Sequence, residues 1–179
     1  MGCVALLAGH VNAQDRAHFN TAELRRESVS TVAVTLYLNW PQALHQLLAP
    51  QLTFRVFLET YLKLPELQLE KEMTKAKSYM TANAFFSLPS GARANLRKWQ
   101  LPANQSLRES FKLSLMLLDM PANAPTHLDP VKISAEVQSK GPLTQVQIQL
   151  PKALYPIWVN LKNDKFWLTE QIPLALISF

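Results

Sequence analysis

The chain has little of what compact catalytic and cofactor sites are usually built from. It holds one cysteine, Cys3, and four glycines among 179 residues. A lone cysteine excludes an intramolecular disulfide and any metal site assembled from several thiolates. Four ungrouped glycines exclude a P-loop and a GxGxxG turn, which need glycine where backbone closes on phosphate. There is no GxSxG nucleophile elbow; Ser90 sits in Pro89-Ser90-Gly91, which is turn composition. Past the first residues, no apolar run approaches the roughly 20 residues that a membrane-spanning helix needs. His18, His45 and His127 have no second His or Cys at ligand spacing. His127 and Asp129 stand two apart in a Pro-rich loop, where a solvated pair explains them more simply than metal or acid–base chemistry. Glu66, Glu70 and Glu72 lie among lysines on a helix, the composition of a solvated face with local ion pairs.

What the chain does have is apolar material. Hydrophobic residues make up 48% and charged residues 17%, enough for a sizeable core and too apolar for a disordered chain. Twelve prolines stand mostly at the edges of periodic segments. The formal charge of +5 comes from scattered Lys and Arg, and solubility explains it without an anionic partner.

Residues 1–13, MGCVALLAGHVNA, carry no Lys, Arg, Asp or Glu. Val11-Asn12-Ala13 places small residues at the −3 and −1 positions of a signal-peptidase site, with cleavage before Gln14. The expectation is a signal-peptide remnant whose true start lies upstream of Met1, because no basic n-region precedes the short apolar run. Cys3, preceded by Gly2, offers an alternative as the lipid-attachment cysteine of an outer-membrane lipoprotein. Residues 14–179 are then one domain of an exported, periplasmic bacterial protein, cysteine-free if cleavage follows Ala13.

Asp15 to Glu27 is polar and reads as a short helix or an arm. Val32, Val34, Leu36 and Leu38 alternate with Thr31, Thr35, Tyr37 and Asn39, a half-buried strand. Pro41 opens a helix that Pro50 ends. Leu52 to Leu62 is a second helix, and Pro65 opens a third with an inner stripe of Leu69, Met73, Ala76 and Met80. Asn83–Leu88 and Ala94–Trp99 flank Pro89-Ser90-Gly91 as a hairpin, pairing Phe85 with Leu96. Ser106 and Glu109 form a capping box for a helix to about Leu118, burying Leu107, Phe111, Leu115 and Leu118.

The last fifty residues alternate most clearly. With Gly141-Pro142 as a two-residue turn, Val137 faces Val146, Ala135 faces Ile148 and Ile133 faces Leu150. A second hairpin turns at Asn163-Asp164. There Val159 and Leu161 share a face with Phe166 and Leu168, and the other face carries Trp158, Asn160, Lys162, Lys165 and Trp167. The tail, IPLALISF, adds one more strand.

These elements specify an α+β fold, with helices on one face of a curved antiparallel sheet. Helices feeding a bent sheet that closes on the Lys162 to Leu168 hairpin, K-N-D-K-F-W-L, resemble at fold level the cone-shaped NTF2-like and cystatin-like folds. That resemblance implies an architecture and no activity. Two tryptophans among lysines on the outward face of a strand mark a contact surface, so Trp158, Trp167, Lys162 and Lys165 are the candidate binding residues. A second layer covering that face would account for them equally well.

The function expected is non-catalytic: protein–protein binding or assembly in the envelope, with an envelope protein as partner. A carrier of a lipid or other apolar ligand is the first alternative, and a hydrolase or metal enzyme using His127 and Asp129 the second. No cofactor and no metal are expected. Membrane association is compatible without a transmembrane helix. Arg93, Arg97, Lys98 and Trp99 mix cations with an aromatic near a hairpin, but export removes nucleic acid as a partner.

Overall fold

The computed structural model describes residues 20–121, 128–161 and 164–179. Its elements run β1 (Asn20–Arg26), β2 (Thr31–Leu38), α1 (Trp40–Leu48), α2 (Phe54–Leu62), α3 (Glu66–Asn83), β3 (Phe85–Ser87), β4 (Arg93–Gln100), α4 (Asn104–Leu118), β5 (Val131–Gln138), β6 (Gln145–Gln149), β7 (Ile157–Leu161), β8 (Asp164–Leu168) and β9 (Leu174–Ser178). The nine strands form one sheet in the order β8-β7-β1-β2-β5-β4-β3-β6-β9. The sheet curls until its two edge strands, β8 and β9, touch, so it is nearly closed. The fold is α+β with the helices on one face, as the alternating pattern of apolar segments requires.

Period-two patterning decides which face each strand buries. Val32, Val34, Leu36 and Leu38 of β2 are fully buried, as are Ile133 and Val137 of β5 and Ile157 and Val159 of β7. They form one contiguous cluster with Trp40 and Leu44 of α1, Phe57 of α2, Met80 of α3 and Phe111 of α4. All four helices therefore pack on the inner face. The expected stripe of α3, Leu69, Met73, Ala76 and Met80, is its set of buried residues. Thr53 caps α2 through its side chain, which accepts from the Val56 amide at 3.4 Å. Asn39 does the same for α1 from Gln42, and Pro41 sits in the first turn as expected.

Strand pairing departs from expectation in several places. β5 and β6 do not form a hairpin. β5 lies between β2 and β4, and β6 lies between β3 and β9. The apolar match that favoured the hairpin is degenerate: Val137, Ala135 and Ile133 meet Val32, Val34 and Leu36 of β2 equally well. Alternation fixes the buried face and leaves the partner open. A Gly-Pro turn of that kind also needs a left-handed glycine, and among the described residues Gly91, at φ 80, is the glycine in that region. The 139–143 segment instead runs along the β1–β2 connection, with Ser139 N–H donating to Ser30 O at 3.0 Å and Leu143 N–H to Val29 O at 2.8 Å. Leu143 is fully buried as the chain crosses to the far side of the sheet.

Asn20–Arg26 is a strand where a helix or arm was expected. Its inner face is only Ala22 and Leu24, a signal too short to stand out among Thr21, Glu23 and Arg25. It pairs antiparallel with β2 and parallel with β7, so the sheet is mixed rather than wholly antiparallel. In the β3–β4 hairpin Phe85 pairs with Asn95 rather than Leu96, which puts Phe86 and Ala94 together on the buried face. α4 begins at Asn104 after Ala103, so Ser106 is already inside the helix and makes no capping box. Within α4, Ser114 is buried while Leu118 is exposed. The β7–β8 hairpin has the expected faces, Val159 opposite Phe166 and Ile157 opposite Leu168. Asp164, expected in the turn, pairs with Leu161 as part of β8. Residues 1–13, His18, His127, Lys162 and Asn163 lie outside the described residues.

Candidate functional site

The outer face of β8, β7, β1, β2 and β5 is the surface on which the sequence-derived candidates fall. Because side chains alternate, every residue opposite the core points away from the helices. Register places Trp167, Trp158, Thr21, Tyr37 and Lys132 in one row across five strands. The next row is Lys165, Asn160, Glu23, Thr35 and Ser134. Each of these ten side chains is half-buried or exposed. Among the described residues the helices contribute to the opposite, inner face.

Trp158 and Trp167 are direct cross-strand partners, with ring centroids 4.5 Å apart and planes at 71°, an edge-to-face contact. Both are half-buried. The Trp158 Nε1–H donates to Asn160 Oδ1 at 2.9 Å, two residues along the same face, which fixes the indole's orientation. Tyr37 donates its hydroxyl to Glu23 Oε2 at 3.4 Å. Burial, then the Glu23 carboxylate beside it, pushes Tyr37 above the usual phenol range. Lys165 is exposed beside Asn160. Three of the four candidate residues, Trp158, Trp167 and Lys165, thus share one face.

The apolar surface extends further than the sequence suggested. β9 touches β8, and its outward residues Leu174 and Leu176 are exposed. IPLALISF is apolar on both faces, so alternation could not say which residues would remain outside. A separate patch lies on α4, where Leu113, Met116 and Leu118 are exposed together with Met120 just beyond.

The other chemical candidates fall into structural roles. His45 is buried, its Nε2 2.7 Å from Leu52 O and its ring 5.5 Å from Phe54 and 5.3 Å from Phe57. Glu72 pairs with Lys75 one helical turn away. Glu66 accepts from Asn104 at 2.6 Å and pairs with Arg108 at 3.3 Å, and that hydrogen bond with Asn104, more than Arg108, holds its carboxyl below the usual range. Among the described residues no group of three His, Cys, Asp or Glu could hold a metal ion. Of the basic-aromatic cluster, Trp99 is turned into the core, so no base could stack on it. No helix is long and apolar enough to cross a membrane among the described residues.

No protein-family model matches the chain, and neither a curated protein nor a solved structure does.

Proposed function

We propose that the chain is an exported, non-catalytic binding or assembly protein of the bacterial cell envelope that captures a protein partner on the outer face of its sheet. The observation that carries this reading is the Trp158–Trp167 pair, two touching indoles left half-buried on the face away from the helices. Aromatic anchors ringed by polar groups are where binding energy concentrates at protein interfaces. The row beside them supports the same reading: Tyr37 and Thr21 continue the surface, and Lys165 and Lys132 give it a positive border. The partner this surface suits offers an apolar side chain to the indoles and carboxylates to the lysines.

The location belongs to the same proposal. It rests on the composition of residues 1–13 as a signal-peptide remnant, with the Cys3 lipoprotein as its variant form. Residues 14–179 as one domain, and the likeness to NTF2-like and cystatin-like folds, are supported by a single buried cluster inside a curved sheet.

Trp158→Ala with Trp167→Ala tests the reading. The doubly substituted protein should fold and should lose a partner that the native protein captures from an envelope fraction. Capture unchanged by the double substitution would overturn it. Organic extraction of the purified native protein separates the carrier alternative: a stoichiometric apolar molecule would favour a carrier over a protein-binding face.

A further inference from the structure

A second feature of the outer face stands apart from the tryptophans. A groove of about 830 Å³ runs between the β3–β4 turn and the segment leaving β5, and Arg93, Arg97, Lys98 and Lys140 line it with Glu136 as the one carboxylate. All four cations are exposed. A regular strand could not place Arg97 and Lys98 on one side, since neighbours point to opposite faces. Here a register shift in β4 after Arg97 breaks the alternation. Lys98 takes up the left-handed region at φ 53, a strained conformation for a residue with a Cβ. The consequence is that Leu96 and Trp99 both turn inward while Arg97 and Lys98 both face the groove.

The bulge also redistributes charge. Arg97 stands directly opposite Glu136 in register, yet it is Lys98 whose ammonium meets the Glu136 carboxylate, at 3.0 and 3.1 Å. Arg93 lies over the Phe85 ring, 4.3 Å from its centroid. Among the described residues neither Arg97 nor Lys140 forms an ion pair. Two unneutralised cations, with a third held at the rim, face one concave surface that also presents Ser90, Asn95 and Ser139.

We propose that this groove binds a compact phosphate-bearing group, with Arg97 and Lys140 as its principal contacts. A guanidinium presents paired donors to phosphate oxygens and an ammonium adds a point charge, which together suit a small polyanion. Such a group could be a free phosphate compound or the head of an anionic lipid, and the two sources are separable.

Calorimetric titration with inorganic pyrophosphate, and flotation with phosphatidylcholine vesicles with and without phosphatidylglycerol, form the two arms. Binding to either probe should weaken as salt rises. It should weaken by about tenfold for each of Arg97→Gln and Lys140→Gln, the effect of one lost charge-assisted contact. Lys112→Gln, an exposed lysine of α4, should bind as the native protein does. Pyrophosphate binding identifies a soluble ligand class, and binding confined to phosphatidylglycerol vesicles identifies a lipid head group. No binding to either probe, or equal binding by Arg97→Gln and native protein, would overturn the proposal. So would binding of a single-stranded oligonucleotide where both probes fail. All three substitutions are at exposed positions, and equal urea midpoints would confirm that each variant is folded.

Discussion

Removing Trp158 and Trp167, separately and together, measures whether the indole pair is surface or core. A tryptophan buries about 150–250 Å² when fully enclosed. Half-buried, each of these keeps on the order of 100 Å² from water, so at about 25 cal/mol per Å² truncation to alanine costs about 2.5 kcal/mol. A compact unfolded chain lowers that to about 2 kcal/mol. Of that, about 0.5–1 kcal/mol is the edge-to-face contact between rings 4.5 Å apart, which the two residues share. Both single losses include it, so the double variant should lose about 3–3.5 kcal/mol, less than the sum of the singles. With a slope of about 2 kcal/mol per molar, the urea midpoint of the double variant falls by about 1.5 M and a cooperative transition remains. Trp40→Ala supplies the scale for true burial: that side chain is 0% exposed, and its loss alone should cost about 3–5 kcal/mol. A double variant that cannot fold, or single variants that each cost as much as Trp40→Ala, would show that the pair is core and refute its assignment to a binding face.

Three further outcomes test the framework that holds the site. Lys98→Gly should be more stable than Lys98→Ala by about 1 kcal/mol in urea, since both lose the Glu136 pair and only alanine keeps a Cβ in the left-handed region. Equal stability would remove the strained bulge. Leu143→Ala should cost about 2–5 kcal/mol, because Leu143 is fully buried where the chain crosses from β5 to β6. A loss below about 0.5 kcal/mol, as at an ordinary surface position, would favour the hairpin that sequence suggested. Burial, aided by the Glu72 carboxylate that accepts its hydroxyl, pushes Tyr61 from 10.0 up to about 12. Its contribution is complete below pH 10, where the unfolded phenol keeps its proton, and is lost as pH rises toward 12. Denaturation midpoints of native protein should therefore fall more steeply than those of Tyr61→Phe across that window, and parallel curves would contradict the shift.

Local periodicity made much of this legible. The α3 stripe was readable because four apolar residues at helical spacing admit one buried face. The inner faces of β2, β5 and β7 were readable for the same reason at period two. Partner choice was not readable, because Val137, Ala135 and Ile133 present to β2 the same apolar row that they would present to β6. β1 was missed because Ala22 and Leu24 gain their burial from neighbours on both sides, a tertiary effect with little local trace. At the candidate site the outward direction of Trp158 and Trp167 followed from alternation, whereas their half-burial and ring contact depend on pairing at Trp158–Trp167. The basic groove was legible only in part: Arg93, Arg97 and Lys98 stood out as a cluster, but not the concave surface they share with Lys140. Arg97 and Lys98 share a face only because of a bulge, and Lys140 arrives from a distant segment of the chain, after β5.

Placing a photoreactive phenylalanine analogue at Tyr37, and in a separate protein at Tyr79, tests the binding face most directly. Tyr37 lies in the tryptophan row, two strands from Trp158, and Tyr79 is exposed on α3. Illumination of cells expressing the full chain should give a discrete protein adduct from position 37 and none from position 79. An adduct from position 79 alone, or from neither position, would contradict a partner bound on the outer face of the sheet.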